Sequence, residues 1–136
     1  MSLGVEELLK EAKLFYGEAV DELEKAINEG SRVKMRDAAE KAWNAVVQAA
    51  NALALTVEGE VPRSHYERRI SLKNIEAKIP SALEKGVYDR YAARSRLLHG
   101  EIFYEGVFDP DLLRVEVEKA GDFIKIVENI IKDYTQ

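Results

Sequence analysis

The chain has 136 residues, enough for one domain, and it contains no cysteine, which excludes disulfides, thiolate zinc sites and cysteine nucleophiles. Its formal net charge of -5 at pH 7 argues against a broadly basic nucleic-acid-binding protein, although a local basic patch is compatible with it. No secretory signal opens the chain, and no apolar run approaches the roughly 20 residues of a membrane span. We therefore expect a single cytoplasmic domain over residues 1–136 that does not enter a membrane.

The first two predicted helices cover about Val5–Asn28 and Arg32–Val57. Apolar residues at i, i+3 and i+4 spacing form one stripe on the first, and Gly30 and Ser31 supply its stop and the next N-cap. The second has a stripe of mostly small residues, which predicts either a central helix contacted on several sides or one that faces a partner subunit. Trp43, the only tryptophan, is expected to fill the core, with an interface anchor as the alternative.

The second half of the chain predicts three more helices and a short connection. A capping box, serine followed three residues later by glutamate, opens a short third helix at about His65–Ile79. Ser81–Gly86 is a helical turn, and a fourth helix follows at about Val87–Glu105. An aspartate–proline start signal opens the fifth at about Pro110–Tyr134. With no strand alternation and no repeat, the pattern predicts an all-α, up-and-down bundle of four longer helices with the short third helix packed beside them.

The fourth helix carries the only hint of chemistry, which centres on His99. On a helix that turns about 100° per residue, Arg96 lies roughly 60° from His99 and Arg94 about 140° from it. His99 is then either a hydrogen-bonded core or interface residue or a general acid or base, and the two arginines favour anion binding. His65 is expected at the surface. No phosphate-binding glycine loop, His-Glu-x-x-His pair or Glu-x-x-His motif is present, so we expect no metal and no cofactor.

These residues resemble known families. Four residues separate Arg94 from His99, a spacing that resembles the Arg-x(4–6)-His motif of HEPN domains (higher eukaryotes and prokaryotes nucleotide-binding). These domains are all-α bundles and commonly dimers. The stretch L-H-G-E-I-F-Y-E-G at 98–106 resembles a segment of the archaeal PaREP family, which we interpret as HEPN-like, and 38–53 is similar to that family's second helix.

The resemblance implies two alternative functions. The first is a HEPN-like nucleotide- or partner-binding module, a homodimer built around the fourth helix and the small-residue face of the second, with Ser95, Arg96 and Tyr104 contributing to binding. The second is a metal-independent endoribonuclease in which His99 moves a ribose hydroxyl proton and Arg94 holds the phosphate. We favour the first, because active HEPN members usually have Asn, Asp or His where Ser95 stands and because the acidic chain attracts RNA poorly. Whether the protein is an enzyme stays open at this stage.

Overall fold

The computed structural model describes residues 1–136 as seven helical segments without a strand, which confirms the predicted all-α class. Six of the segments are α-helices, and one, between α5 and α6, is a π-helix that we call the π segment. In chain order they are α1 (Leu3–Glu29), α2 (Arg32–Glu58), α3 (His65–Lys78), α4 (Pro80–Lys85), α5 (Val87–Arg94), the π segment (Ser95–Tyr104) and α6 (Pro110–Tyr134).

The helices begin and end where the sequence provides caps. The side chains of Ser31 and Ser64 accept hydrogen bonds from backbone N–H groups three residues on, and Asp109 does the same at the start of α6. Gly30, at φ 64°, ends α1 in the left-handed conformation that glycine adopts without strain. The predicted ends of α1, α2, α3 and α6 therefore lie within two residues of the observed ones.

Helix α2 is the centre of the bundle, in contact with α1, α3, α5, the π segment and α6. Its small residues are fully buried, among them Ala38, Ala42, Ala45 and Ala49. The predicted central helix is thus confirmed, and Trp43 is buried as the expected core residue. Helices of the same chain cover this small-residue face, so it offers no free surface to a second subunit.

Close packing also joins α1 to α6. A Cβ atom on Gly121 would lie 2.6 Å from the ring carbon Cζ of Tyr16, so only glycine lets the tyrosine ring rest against α6. Burial of the ring, with Asp122 and Glu118 nearby, raises the pKa of the Tyr16 hydroxyl. None of the helices combines the length and the apolar character needed to span a membrane.

The fourth predicted helix is not a single α-helix. It changes at Ser95 from α to π, so that hydrogen bonds join residues five apart, as from the Glu105 N–H to the Gly100 carbonyl at 2.9 Å. A π-helix turns fewer degrees per residue than an α-helix, and positions deduced from 100° per residue no longer hold beyond Ser95. The expected continuous helix over Val87–Glu105 was wrong in this respect.

Candidate functional site

Polar and aromatic side chains from four neighbouring segments meet beside α2. They come from α2, α3, α5 and the π segment; α2 contacts the other three, and α5 contacts both α3 and the π segment. We call this group the histidine cluster; it consists of Glu40, Trp43, His65, Arg68, Tyr91 and His99.

His99 pairs with a carboxylate on α2. Its Nδ1 lies 3.0 Å from Oε2 of Glu40, and both side chains are partly accessible to solvent. An ionised carboxylate only accepts hydrogen bonds, so the proton of the neutral ring sits on Nδ1 and the lone pair on Nε2. With Nδ1 held by the carboxylate, Nε2 is left as the acceptor of the ring, and the pair therefore has the arrangement of a general base and its orienting group.

His65 has the opposite arrangement. Its Nδ1 lies 3.1 Å from Nη1 of Arg68 and 3.1 Å from the Tyr91 hydroxyl. A guanidinium only donates, so Nδ1 accepts and the neutral ring carries its proton on Nε2. Partial desolvation of the ring, followed by the charge of Arg68, lowers the pKa of His65 and so favours this neutral form, with a smaller lowering from His99.

Arg68 is buried without a counter-ion. Only 8% of the residue is exposed, and its partners are neutral: Nε donates to Oδ1 of Asn51 at 2.9 Å, and Nη1 donates to the Tyr91 hydroxyl at 3.2 Å. The Asn51 amide in turn donates to Gln48 at 3.3 Å. No carboxylate lies within ion-pairing distance of this guanidinium, and the one carboxylate of the cluster, Glu40, pairs with His99 instead.

Aromatic rings continue the cluster towards the surface. The His99 ring is stacked with the rings of Trp43 and Phe103, whose centroids lie 5.7 and 5.9 Å away, and it forms a T-shaped pair with the Tyr104 ring at 4.8 Å. Tyr104 is 70% exposed, which is unusual for so large a ring in contact with a core. Arg36 covers the Phe103 ring at 5.1 Å and donates to the Phe103 carbonyl, fixing the end of the π segment on α2.

The other predicted site residues lie elsewhere. Arg94 is 4% exposed, and its Nη2 lies 2.7 Å from Oε1 of Glu116 on α6. The Arg96 guanidinium is 82% exposed, with its nearest carboxylate, Glu101, at 3.7 Å. Ser95 is half-buried, and its hydroxyl makes no hydrogen bond. The structure thus brings Tyr104 to His99, but it brings neither arginine into ion-pairing or hydrogen-bonding contact with the cluster.

Sequence reasoning missed the partners of His99. His65 is exposed, as expected for a surface residue, yet its ring centroid lies 5.7 Å from that of His99. Two spacings in the sequence could have indicated the cluster. Glu40 and Trp43 are three residues apart, and so are His65 and Arg68. Each pair therefore shares one face of its helix, although nothing in the sequence indicates that the two faces meet.

A groove of about 710 Å³ lies apart from the cluster, between the end of α2, the loop after it and α3. Its charged lining residues have both signs, as with Glu58, Glu60, Arg63 and Lys78. Glu58 accepts a hydrogen bond from the Ser71 hydroxyl on α3, so this carboxylate is already engaged within the chain. We place the candidate site at the histidine cluster instead, because a buried guanidinium without a direct counter-ion and two neighbouring imidazoles occur together there.

Comparison with known proteins identifies a family. A model of the archaeal PaREP1/PaREP8 family matches residues 14–124, which include most of α1, all of α2 to the π segment and more than half of α6. No curated protein matches the chain. No solved structure matches it either.

Proposed function

We propose that this chain, which belongs to the archaeal PaREP1/PaREP8 family, is a HEPN-like module that binds a nucleotide, free or within an RNA strand, at the histidine cluster. The observation that carries the proposal is the buried guanidinium of Arg68, which has no carboxylate partner. A buried charge without a counter-ion is costly, and a bound anion offsets that cost. Phosphate suits a guanidinium particularly well, because its oxygens match the forked donors of arginine.

The neighbouring groups favour a nucleotide over a simple anion. Beside Arg68, the Nε2–H of neutral His65 offers one more donor to a phosphate oxygen. Tyr104, which is 70% exposed, offers a ring on which a base can stack, and stacking of this kind is largely independent of the base. Charge at one end and an aromatic surface at the other fit the two halves of a nucleotide.

Fluorescence of the single tryptophan tests this proposal directly. The Trp43 ring stacks on His99, so we expect its emission to change when AMP or a short single-stranded RNA is added. Arg68→Gln should weaken binding at least about tenfold, the equivalent of about 1.4 kcal/mol for a lost charge-assisted contact. Tyr104→Ala should weaken it by about 1–3 kcal/mol through lost stacking.

A matched control separates this site from general charge. Arg114 is an exposed arginine on α6 whose ion-pair partner is Asp111 and not a residue of the histidine cluster, so Arg114→Gln removes the same charge outside the cluster and should leave the affinity unchanged. Equal losses from Arg68→Gln and Arg114→Gln would mean that the ligand responds only to overall charge. An unchanged Trp43 signal with both ligands would refute the binding proposal.

One observation favours endoribonuclease activity as a second candidate. The two imidazoles lie 5.7 Å apart, and each engages its Nδ1, which leaves both Nε2 atoms free for a substrate. In this scheme His99 Nε2 takes the 2′-hydroxyl proton, the 2′ oxygen attacks phosphorus, and the 5′ oxygen leaves with a proton from solvent. We assign the phosphate to Arg68 in place of Arg94, because Arg94 is already closed into an ion pair with Glu116.

Cleavage assays in EDTA distinguish the two candidates. If the protein is an endoribonuclease, the wild type should cleave single-stranded RNA, and His99→Ala should abolish the cleavage. Glu40→Gln should reduce the rate about 10²- to 10⁴-fold, the usual contribution of acid–base catalysis. Nucleotide binding without cleavage by wild type leaves the binding function alone.

A further inference from the structure

Arg94 and Glu116 form the most deeply buried ion pair of the protein. Both residues are less than 10% exposed, at 4% and 6%, and Arg94 Nη2 lies 2.7 Å from Glu116 Oε1. Neither residue touches the histidine cluster through a hydrogen bond or an ion pair. The pair is therefore unaccounted for by the ligand-binding chemistry.

The pair does not have the geometry of an optimised stabilising contact. The Nε atom of Arg94 is buried without a hydrogen-bond partner, and the contact to Glu116 Oε1 is not directed as a hydrogen bond. A buried ion pair of this kind adds little to stability compared with apolar residues of the same volume, because both charges lose their hydration. What such a pair does supply is a fixed relative position of the two helices that carry it.

Its place in the chain shows what is fixed. Arg94 is the last residue of α5, and the π segment begins at Ser95 and carries His99. The point at which α winding changes to π winding decides the direction in which every later side chain points. Glu116 holds this point from α6, which packs on both α5 and the π segment.

We propose that the Arg94–Glu116 pair is a positioning device that fixes the start of the π segment and thereby directs His99 towards Glu40, while Arg94 itself does not touch the ligand. The ligand-binding part of its test rests on the proposed function. The position of His99 can be tested without any ligand.

Glu116→Gln and Arg94→Lys together separate positioning from direct contact. If the pair positions His99, Glu116→Gln should weaken AMP binding about 10- to 100-fold, the range expected for a small misplacement of a binding group. Arg94→Lys keeps a cation opposite Glu116 and should bind AMP within about threefold of wild type. If Arg94 held the phosphate itself, the order would reverse: Glu116→Gln would free the guanidinium and keep or raise the affinity, and Arg94→Lys would lose the forked contact.

A ligand-free measurement makes the test independent of the binding proposal. The ring Nδ1–H of His99, held by Glu40 at 3.0 Å, should give a nuclear magnetic resonance signal in wild type and in Arg94→Lys. Glu40→Gln identifies that signal, and Glu116→Gln should remove or shift it. An unchanged His99 signal in Glu116→Gln overturns the positioning role. Failure of wild type to bind AMP overturns only the proposed function.

A double variant covers the case in which a single change prevents folding. Arg94→Met with Glu116→Met removes both charges and keeps apolar volume, which proteins tolerate at buried ion pairs. We expect it to fold cooperatively and still to lose the His99 signal and about 10- to 100-fold in AMP affinity. A folded double variant with wild-type signal and affinity would overturn the proposal.

Discussion

His65 and His99 offer opposite chemistry to a ligand, although their rings lie only 5.7 Å apart. Glu40 places the proton of neutral His99 on Nδ1, so its Nε2 accepts, whereas Arg68 occupies Nδ1 of His65, so its Nε2 donates. A ligand that carries both a hydroxyl and an anionic oxygen matches this pair, and a ribonucleotide carries both. The fixed partners of the two rings thus place an acceptor on one side of the cluster and a donor on the other, which composition alone does not reveal.

The lowered pKa of His65 makes stability depend on pH close to neutrality. The unfolded chain has the ordinary histidine pKa of 6.5, so as the pH falls it takes up a proton before the folded chain does. This contribution to the free energy of unfolding is complete above pH 6.5 and declines below it, until the lower folded pKa is passed. Urea denaturation at about pH 7.5 and about pH 5.5 measures the difference.

His65→Gln is the control for that pH dependence. The variant removes the titrating group and keeps a polar side chain, so its free energy of unfolding should fall less between the same two pH values. Besides the Arg68 charge, His99 and Arg69 lower the pKa of His65 and Glu40 raises it, and all of these stay in place. Identical slopes for wild type and variant would show that His65 does not contribute.

Removing one partner of the buried ion pair should be costly. Arg94→Met leaves the Glu116 carboxylate buried without a counter-ion, and we expect a loss of about 3–5 kcal/mol in the free energy of unfolding. Arg96→Met is the matched control two residues away; its guanidinium is 82% exposed, and the change should stay within about 0.5 kcal/mol. Chemical denaturation of the two variants measures both free energies of unfolding. Equal small losses in the two variants would mean that Glu116 finds another partner or takes up a proton.

The site residues show how far sequence reasoning reaches. The sequence singles out His99 because it is an imidazole on an apolar helical face, and Tyr104 because its aromatic ring can stack on a base. Glu40 and Arg68 were not found, since on α2 and α3 they read as ordinary charged residues of a solvated surface. A buried arginine without a counter-ion can be told from an exposed one only when the packing of the four segments is known. No local sequence pattern predicts that packing.

At the scale of elements, the π segment explains the main geometrical error. The prediction that Arg96 shares a face with His99 assumed α winding through residue 99, whereas π winding begins at Ser95. A ten-residue stretch with apolar residues at helical spacing gives no sign of which winding it adopts. Contacts from outside the segment, such as those of Arg36 with Phe103, hold its end against α2 and are not visible in its own sequence.

Two glycines within helices should respond oppositely to the same substitution. A Cβ at Gly121 would meet the Tyr16 ring at 2.6 Å, so Gly121→Ala forces the tyrosine to move and should cost about 1–3 kcal/mol from overpacking. Gly17, one residue after that tyrosine, has nothing within 4 Å of the same position. Gly17→Ala should therefore stabilise the protein by about 0.5–1 kcal/mol through helix propensity. Thermal or urea denaturation compares them, and equal gains would show that the Tyr16 ring moves away freely.

At the scale of the whole molecule, the sequence was sufficient for the class and order of the helices. Apolar periodicity, caps and glycine stops are local signals, and they predicted α1, α2, α3 and α6 with nearly correct ends. The small residues of α2 predicted close approach but could not say whether the neighbour is another helix of the same chain or a second subunit. That question depends on how many helices surround α2, which is a property of the assembled bundle.

We propose that the chain forms a homodimer whose interface is built on the π segment. Tyr104, 70% exposed, provides a large ring for such an interface. Light scattering should give about twice the monomer mass of 15.4 kDa, and Tyr104→Asp should return the monomer mass. Tyr134→Asp, at an exposed tyrosine near the end of α6, should leave the dimer intact. A monomer mass for wild type would refute the proposal.

The spacing of the cluster along the chain has a consequence for the order of folding. Helices α1 and α2 are neighbours in sequence and can close early as a hairpin, whereas the bond between His99 and Glu40 joins residues 59 positions apart. Contacts between segments that are far apart in the sequence cost more loop-closure entropy, and such segments tend to separate first. Amide hydrogen exchange should therefore be faster in the π segment than in the middle of α2, so that the protein can open the histidine cluster transiently while the hairpin of α1 and α2 stays intact.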